Sequence, residues 1–251
     1  MSEQKVVIVT GAGSGIGQAI ALRFARDGFK VVLNGRSEDK LKKVASEIGA
    51  ENCLIVAADV SRPIDVVHII NKTIEAYDRI DVLVNNAAIF VGGTIKEVTL
   101  EDWNRQMAIN ATGPFLMIKA ALTYLEKSKG SVVNVSSVSG LGGDWGAFSY
   151  DATKGALNQL TRALALDFGP LGVRVNAVAP SLTDTDMAAP VLGNAETMVD
   201  FKKRIAMQRA GSPEEVADVI AFLASEQARF VTGAILPVDG GLSASNGQPK
   251  L

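Results

Sequence analysis

Seven short runs rich in β-branched and other apolar residues recur along this chain of 251 residues, and longer amphipathic segments separate them. Such alternation is typical of β-α-β units, in which helices bury both faces of a parallel sheet. The sequence therefore predicts an α/β fold with a doubly wound sheet of about seven parallel strands and helices on both faces. The predicted strands are residues 5–10, 31–34, 53–57, 82–85, 131–136, 174–179 and 234–238.

No internal repeat, low-complexity tract or linker rich in Pro, Gly or Ser divides the chain, so we expect a single domain over residues 1–251. Residues 183–207 follow the sixth predicted strand with mixed Pro, Gly and Asp content, which indicates a substrate lid. The formal charge of −2 gives no reason to expect nucleic acid or a membrane surface as a partner. One cysteine, no export signal and no apolar run of roughly 20 residues together predict a cytoplasmic location.

Two helix starts are marked by residues that can accept hydrogen bonds from free backbone N–H groups. Thr99 stands three residues before Asp102, and Ser212 stands three residues before Glu215 with proline between them. The second pattern is that of a capping box. Helices are therefore predicted to begin directly after Thr99 and Ser212.

A glycine-rich turn joins the first predicted strand to a helical segment in the run Thr10-Gly-Ala-Gly-Ser-Gly-Ile-Gly17. Gly11, Gly15 and Gly17 allow backbone N–H groups and the positive end of a helix dipole to face an anion above the turn. The spacing is G-x-x-x-G-x-G, whereas the usual dinucleotide motif is G-x-G-x-x-G. The turn fits a pyrophosphate, and taken alone it is also compatible with a tight strand-to-helix connection.

The end of the second predicted strand bears on which dinucleotide such a turn would hold. An acidic residue about 20 positions beyond the glycines selects NAD through the ribose 2′-hydroxyl, whereas arginine suits the 2′-phosphate of NADP. The strand ends Leu33-Asn-Gly-Arg-Ser37 without a carboxylate, and both Arg36 and Ser37 can bind a phosphate. NADP(H) is favoured. NAD(H) is the alternative because Glu38 and Asp39 follow, although acids in a first helical turn ordinarily serve the helix dipole.

Tyr150 and Lys154 are four residues apart in a predicted helix, so their side chains share one face. A neighbouring cation is expected to lower the pKa of the tyrosine from about 10, which makes the phenol a usable general acid and base near neutral pH. Such a pair suits proton exchange with an alcohol or a carbonyl. Of the three serines at one predicted strand exit, Ser136, Ser137 and Ser139, spacing favours Ser137, although each can also cap a turn.

Asparagines follow the fourth predicted strand and interrupt a predicted helix. The strand ends in Asn85-Asn-Ala-Ala88, and Asn110 occupies a helix interior, where Asn is a poor helix former. Two interpretations of Asn110 have equal weight. Its amide can hold a water near Lys154, or it can be a core amide whose hydrogen bonds are satisfied by its neighbours.

In order, and over essentially the whole chain, these motifs resemble those of the short-chain dehydrogenase/reductase family. The matching motifs are Thr10-Gly-x-x-x-Gly-Ile-Gly17, Asn85-Asn-Ala, Asn110, Ser137, Tyr150-x-x-x-Lys154 and Asn176-x-x-x-Pro180. The resemblance implies a Rossmann fold and an oxidoreductase that transfers hydride between a nicotinamide cofactor and a small ketone or secondary alcohol. The catalytic residues it implies are Ser137 on the substrate oxygen, Tyr150 as acid and base, Lys154 on the ribose hydroxyls and Asn110 in a proton relay.

The resemblance also implies which residues contact the cofactor, with Asp59 as the adenine contact after the third strand. The expected cofactor-binding residues are Gly11, Ser14, Gly15, Ile16, Gly17, Arg36, Ser37, Asp59, Val60, Asn86, Ala87, Tyr150, Lys154, Pro180, Thr183 and Thr185. Ala88 and Ser181 stand where the family usually has glycine, and both positions bear on substrate fit. The sequence shows no cluster of His, Cys and acidic residues, so no metal is expected.

A narrower resemblance is to the branch of the family that acts on meso-2,3-butanediol and acetoin. It rests on residues 138–147, 179–182 and 244–250. That branch typically has an acidic residue at the tip of the second strand, which selects NAD. The resemblance to the branch therefore favours NAD, whereas the residues at this strand end favour NADP. The alternatives are another substrate, such as a sugar alcohol or a 3-oxoacyl thioester, and a regulator that binds nucleotide without catalysis. Trp145 and Phe148 are candidates to wall a small apolar pocket, and Trp145 can equally pack a loop.

Subunit contacts are also expected. The apolar helices predicted over residues 100–128 and 150–168 carry more hydrophobic surface than one sheet face covers. The family resemblance implies a homotetramer, and the polar residues 245–251 are then placed near a subunit boundary. The end of that segment, residues 249–251, lies outside the part of the chain described below.

Overall fold

Parallel strands form one sheet in the order β3-β2-β1-β4-β5-β6-β7. The computed structural model describes residues 4–248 of the chain. The strands are β1 (Val6–Thr10), β2 (Lys30–Gly35), β3 (Cys53–Ala57), β4 (Val82–Asn85), β5 (Ser131–Val135), β6 (Arg174–Pro180) and β7 (Ile235–Val238). Each matches a predicted strand to within one residue at either end. The chain adds strands outward from β1 to β3 and then returns to β4 beside β1, so the predicted doubly wound, Rossmann-type fold is confirmed.

Helices connect these strands. In the described residues they are α1 (Gly15–Arg26), α2 (Glu38–Ile48), α3 (Pro63–Tyr77), α4 (Leu100–Met107), α5 (Gly113–Ser128), α6 (Phe148–Phe168), α7 (Ala189–Leu192), α8 (Ala195–Arg204) and α9 (Pro213–Ala224). Both predicted helix starts are confirmed. The Thr99 hydroxyl accepts the N–H of Asp102 at 3.1 Å, and Ser212 and Glu215 complete a capping box. Within residues 4–248 no helix has the length and apolar character needed to cross a membrane.

The strands are mainly apolar because helices cover both faces of the sheet, and the buried polar exceptions include Asn34, Asn134 and Asn176. Val7 and Val9 of β1 belong to a buried cluster with Phe24, formed with α1, α2 and α9. Ile8, which points to the opposite face, belongs to a second cluster with Met117, formed with α3, α5 and α6. Full burial of each such side chain stabilises the fold by roughly 1.5–3 kcal/mol. The two clusters fix the sheet between two helical layers.

The helix predicted over residues 100–128 is not one continuous α-helix. A π-helical segment, Ala108–Thr112, separates α4 from α5. Pro114 has no backbone N–H, so the carbonyl of Asn110 four residues earlier lacks its ordinary α-helical donor. The second long helix, predicted over residues 150–168, extends two residues further toward the N-terminus as α6.

The segment predicted as a lid, residues 183–207, contains a short 3-10 turn followed by α7 and α8. Asp186 in this segment forms an ion pair with Lys40 of α2 at 3.6 Å. Thr185 packs against the turn after β1, because a Cβ placed on Gly15 would lie 3.0 Å from its methyl group. The segment therefore lies against both the glycine turn and α2, and its action as a lid stays a prediction.

Candidate active site

A cavity of about 720 Å³ opens at the carboxyl ends of the strands. It lies beside the point where the strand order reverses between β1 and β4, which is where open α/β sheets bind their ligands. Its walls come from the turn after β1 and from the segments that directly follow each strand from β2 to β6. The start of α6 and the segment predicted as a lid also contribute.

The glycine turn after β1 has a backbone that other residues would not adopt. Gly11 and Gly15 have φ angles of 66° and 53°, and a Cβ on Gly17 would overlap the carbonyl oxygen of Gly11. Helix α1 begins at Gly15 with no side-chain cap from Ser14 and no acidic residue in its first turn. Its first N–H groups border the cavity with no side chain to accept their hydrogen bonds, an arrangement that suits a phosphate. These residues fit the pyrophosphate of a dinucleotide.

Thr10 and Asn86 join the end of β1 to the end of β4. The Thr10 hydroxyl oxygen accepts the backbone N–H groups of Asn86 at 2.9 Å and Ala87 at 3.1 Å. In return the Asn86 amide donates to the carbonyl of Thr10 at 2.9 Å. These bonds hold the glycine turn against the chain that leaves β4, a role that the sequence pattern did not assign to Thr10.

Arg36 lies exposed at the rim of the cavity, directly after β2. Ser37, predicted beside it as a phosphate contact, precedes α2 and does not line the cavity. Glu38 pairs with Lys42 on the surface of α2 at 2.9 Å. This acid therefore serves its own helix, in agreement with the expectation for acids in a first turn.

Asp59 follows β3 and lines the cavity together with Val60. Its Oδ1 accepts hydrogen bonds from the backbone N–H and the hydroxyl of Ser61, at 2.9 and 2.7 Å. Burial acts to raise the pKa of Asp59, but the Ser61 hydrogen bonds and the charges of Arg36 and Arg62 bring it below its ordinary value. The carboxylate is thus an ionised acceptor at the same end of the cavity as Arg36.

Tyr150 and Lys154 lie on one face of α6, and both line the cavity. The Lys154 Nζ is 5.4 Å from the centre of the Tyr150 ring and donates to the carbonyl of Val135 at 2.8 Å. Phe90 also contacts the ring and meets it edge to face, with ring centroids 5.3 Å apart. The Tyr150 ring therefore has an aromatic ring and a buried amine as neighbours.

The expected lowering of the Tyr150 pKa is wrong. Burial raises the pKa of Tyr150 to about 12; a hydrogen bond with Ser137 opposes this rise, and the carboxylates of Asp144 and Asp151 add to it. Burial also lowers the pKa of Lys154 to about 8. Desolvation disfavours the charged form of each group, and it is the largest cause of both pKa shifts.

Ser137 follows β5 and lines the cavity. Its hydroxyl donates to Ser139 Oγ at 3.0 Å and accepts the backbone N–H of Ser139 at 3.2 Å. Ser139 in turn donates to Asp144 at 2.5 Å. The third serine, Ser136, is buried, also lines the cavity and donates to the carbonyl of Lys154 at 3.4 Å. All three serines therefore lie at the site, together with the carboxylate of Asp144, to which the sequence pattern assigned no role.

Asn110 is buried in the π-helical segment and does not line the cavity. Its amide donates to the carbonyl of Ile89 at 2.8 Å and accepts the Ile89 N–H at 2.9 Å. The same amide donates to the hydroxyl of Thr153 at 3.2 Å. The side chain therefore agrees with the second interpretation, a core amide whose hydrogen bonds are satisfied by its neighbours. These hydrogen bonds fix the chain that follows β4.

With the exception of Ser37 and Asn110, the predicted site residues share this one cavity. Those that line it are Gly11, Ser14, Gly15, Ile16, Gly17, Arg36, Asp59, Val60, Asn86, Ala87, Ser137, Tyr150, Lys154, Pro180, Thr183 and Thr185. Trp145 also lines it while 96% exposed, whereas Phe148 stacks on Trp103 with ring centroids 6.1 Å apart. Among residues 4–248 no group of three or more His, Cys, Asp or Glu side chains is placed to hold a metal ion.

Apolar walls complete the cavity, and the sequence pattern did not reveal them. They are Phe90, Leu182, Met187, Val191, Phe201 and Leu242. Most come from the segment predicted as a lid and from the chain after β7, so their place in the site depends on how distant parts of the chain pack. Val191 and Phe201 lie on the short helices α7 and α8, and the others lie in loops or turns, so no periodic pattern of apolar residues would have identified them.

Comparison with known proteins agrees with this geometry. A family model described as enoyl-(acyl carrier protein) reductase matches residues 11–243. The meso-2,3-butanediol dehydrogenase of Serratia marcescens is 48% identical over 250 residues, which cover 99% of this chain and 98% of that protein. The chain belongs to the short-chain dehydrogenase/reductase family, and it is an oxidoreductase of the class that acts on CH–OH groups.

Two solved structures share the whole fold. The 3-ketoacyl-(acyl-carrier-protein) reductase of Brucella melitensis, complexed with NADH, has a TM-score of 0.88 and 35% identity, and the match covers 96% of this chain and 99% of that one. ElxO with NADP bound has a TM-score of 0.90 and 33% identity, and the match covers 96% and 100%. The fold class and the family predicted from the sequence are thus confirmed, and related structures hold nicotinamide dinucleotides of both kinds.

Proposed function

We propose that the protein interconverts a small vicinal hydroxyketone or diketone and its alcohol, with acetoin and 2,3-butanediol as the expected pair. The observation that carries this proposal is that Tyr150, Lys154 and Ser137 share one cavity with the glycine turn after β1. The choice of substrate is supported by the 48% identity to the Serratia marcescens enzyme over nearly the whole chain. The apolar walls of the cavity suit a small substrate with few charges.

Each of the three residues has a distinct task in this proposal. A bound nicotinamide cofactor supplies or accepts the hydride. Tyr150 exchanges the matching proton with the substrate oxygen, and Ser137 orients that oxygen. Lys154 is buried, so its ammonium acts at short range in a medium of low polarity, where it stabilises the tyrosinate formed during alcohol oxidation. Its remaining N–H donors can bind ribose hydroxyls while one bonds to Val135.

Asn110 enters the proposed proton relay through its backbone. Its side chain is held by Ile89 and Thr153, so the amide has no free direction toward Lys154. Its carbonyl lacks the ordinary α-helical donor because residue 114 is proline. A water bound at that carbonyl would link the buried amine to the cavity.

A cofactor-absorbance assay on the full-length protein tests the substrate. We expect acetoin or diacetyl to be reduced, and 2,3-butanediol to be oxidised, with a higher kcat/KM than a sugar alcohol or a 3-oxoacyl thioester. A higher kcat/KM for the 3-oxoacyl thioester would contradict this choice. The substrate would then be of the kind that the name of the Brucella melitensis reductase gives. Binding of NADPH without consumption of it across the whole panel would instead support the non-catalytic regulator.

We further propose NADP(H) as the preferred cofactor, with NAD(H) as the alternative. Three observations support this preference. Arg36 borders the cavity directly after β2, the run 33–37 contains no carboxylate, and Glu38 is engaged by Lys42. A guanidinium can bind a 2′-phosphate through two parallel hydrogen bonds, which the 2′-hydroxyl of NAD does not offer.

Replacing Arg36 with alanine is expected to weaken NADPH binding roughly 10- to 100-fold, the effect of losing a hydrogen bond to a charged group. NADH binding should change less than about threefold, because its ribose has no phosphate to lose. Titration of both cofactors measures the two constants. Lys43→Ala is the matched control, since Lys43 is exposed on α2 and does not line the cavity. Equal constants in Arg36→Ala and the wild type would remove this assignment.

A cytoplasmic homotetramer completes the proposal. Leu100, Phe115 and Leu166 are exposed on α4, α5 and α6, with 74%, 45% and 79% of their surface accessible. Apolar side chains grouped on these helices are suited to contacts between subunits. Light scattering of the purified protein should give four times the mass of one chain, and a monomer would contradict this assembly.

A further inference from the structure

Two buried side-chain amides bind the chain that leaves β4 much as a neighbouring strand would. Gln106 accepts the backbone N–H of Val91 at 3.0 Å and donates to the carbonyl of Val91 at 3.3 Å. Asn110, four residues later, makes the same pair of hydrogen bonds with Ile89, at 2.9 and 2.8 Å. Neither Gln106 nor Asn110 is more than 1% exposed. The two amides thus bind alternate residues of the chain, and Phe90 lies between these residues.

This pairing turns Phe90 toward the cavity. A chain that is bonded along one edge at alternate residues presents the intervening side chain on the face opposite its neighbours. Ile89 packs against the buried cluster that contains Met117, and Val91 does not line the cavity. The Phe90 side chain lines the cavity and is 48% exposed. The ring therefore belongs to the wall of the site and not to the core.

Both amides also bind the helix that carries Tyr150. Gln106 donates to the hydroxyl of Ser149 at 2.7 Å, and Asn110 donates to the hydroxyl of Thr153 at 3.2 Å. Ser149 and Thr153 are one helical turn apart on α6, and Tyr150 lies between them in the sequence. All of these hydrogen bonds are buried among the helices. The chain after β4 and the start of α6 are therefore joined by one set of buried hydrogen bonds.

The Phe90 ring has contacts on two sides. It meets the Tyr150 ring edge to face, with ring centroids 5.3 Å apart. Its Cε1 atom lies 3.2 Å from the position that a Cβ on Gly92 would occupy, so a larger residue there would press on the ring. The next residue, Gly93, donates its N–H to the carbonyl of Gly146 at 2.7 Å. The chain is thus tied down on both sides of Phe90, and the ring is held beside Tyr150.

We propose that Phe90 determines substrate specificity, because its ring limits the size of the groups attached to the reacting carbon. Tyr150 exchanges a proton with the substrate oxygen, so the substituents of the reacting carbon lie close to the Tyr150 ring. A methyl substituent fits beside Phe90, whereas a longer alkyl chain would need the volume that the Phe90 ring fills. The inference rests on the proposed function and narrows its substrates to ketones with short substituents.

Gln106 is a positioning residue in this proposal. It does not line the cavity, and it acts on the substrate only through Phe90, which its hydrogen bonds to Val91 hold in place. Loss of these bonds would let the chain around Phe90 move and would relax the limit on size. A purely structural role of Gln106 would instead affect short and long substrates equally.

The test compares two symmetric vicinal diketones, diacetyl and 4,5-octanedione, whose substituents are methyl and propyl groups. The full-length protein is assayed with NADPH. In Phe90→Ala we expect kcat/KM for octanedione, relative to kcat/KM for diacetyl, to rise at least about tenfold, since a single methylene in an apolar pocket changes this ratio roughly 10- to 200-fold. Phe90→Leu should give a smaller rise. Phe230→Ala is the control, because Phe230 is fully exposed and does not line the cavity.

Gln106→Met keeps the length of the side chain but removes the amide that binds Val91. It should raise the same ratio roughly two- to tenfold, the effect of losing one neutral hydrogen bond, and should leave the affinity for NADPH unchanged. Gln106→Asn is the second variant at this position, since its amide is one methylene too short to reach Val91. A ratio that stayed at the wild-type value in both would remove the positioning role of Gln106.

An unchanged ratio in Phe90→Ala would overturn the proposal for Phe90. Equal kcat/KM values for the two diketones in the wild type would also overturn it, because there would then be no limit on size to explain. Reduction of diacetyl in either case would leave the proposed function standing. If the wild type reduced neither diketone, the proposed function would be wrong, and the inference that rests on it would fall as well.

Discussion

Replacing Tyr150 with phenylalanine is expected to lower the turnover of ketone reduction by roughly 10²–10⁴-fold, the contribution of a general acid. The substitution removes the phenolic O–H and leaves the ring. The ring keeps its edge-to-face contact with Phe90 at 5.3 Å and its place 5.4 Å from the Lys154 Nζ. The fold and the affinity for NADPH should therefore change little. Steady-state rates and a cofactor titration measure the two quantities separately.

Tyr124→Phe is the matched control for this change. Tyr124 lies on α5, with Lys127 Nζ 5.6 Å from its ring centre, and it does not line the cavity. Both substitutions remove a phenolic hydroxyl from a tyrosine near a lysine ammonium. Any general effect of losing this hydroxyl therefore appears in both variants. Wild-type rates are expected for Tyr124→Phe. If Tyr150→Phe also turned over ketone at the wild-type rate, the proton would have to come from another group.

The raised pKa of Tyr150 sets how the two reaction directions depend on pH. With a pKa of about 12, the phenol is protonated at neutral pH and is ready to donate to a ketone. Alcohol oxidation needs tyrosinate. At pH values below the pKa, the fraction of tyrosinate increases about tenfold when the pH rises by one unit. The Lys154 ammonium, which stabilises tyrosinate, is lost as the pH rises through its pKa of about 8. Initial rates of alcohol oxidation should therefore rise with pH up to about pH 8 and level off above it, because the gain in tyrosinate is then offset by the loss of the ammonium charge.

Much of the fold could be predicted because its signals are local. A strand covered on both faces is mainly apolar, and β1, β3 and β4 show this in their sequences, with polar residues only at the carboxyl ends of β1 and β4. The turn with Gly11, Gly15 and Gly17 is likewise local, since its glycines are required by backbone angles and by a close approach within the turn. The i, i+4 spacing that brings Tyr150 and Lys154 together depends only on helix geometry.

The parts of the site that could not be predicted depend on distant segments. The pKa of Tyr150 is raised by burial and by carboxylates, and neither the burial nor the position of Asp144 follows from helix spacing. Asn110 has its partner at Ile89, 21 residues away, which no local pattern shows. Ser37 does not line the cavity, because the chain turns into α2 directly after Arg36, and its contact with a phosphate stays a prediction.

Gly17→Ala is expected to weaken NADPH binding by at least about tenfold and to lower the free energy of unfolding by about 1–3 kcal/mol, the usual cost of overpacking a dense site. A Cβ at this position would overlap the carbonyl oxygen of Gly11 and lie 2.6 Å from the Asn86 amide nitrogen. Neither neighbour can yield freely. The Asn86 amide donates to the carbonyls of Thr10 and Gly11, at 2.9 and 3.2 Å, so a shift would break the bonds that hold the turn to β4.

Gly155→Ala separates this effect from the general effect of adding a methyl group. Gly155 lies inside α6 and does not line the cavity, and no neighbouring heavy atom lies within 4 Å of its Cβ position. The change should be neutral or stabilise the fold by about 0.5–1 kcal/mol, and NADPH binding should be unchanged. Denaturant unfolding and cofactor titration of both variants decide the matter. If Gly17→Ala bound NADPH as the wild type does, the turn after β1 could not hold the pyrophosphate, because distortion of the turn would then leave cofactor binding unchanged.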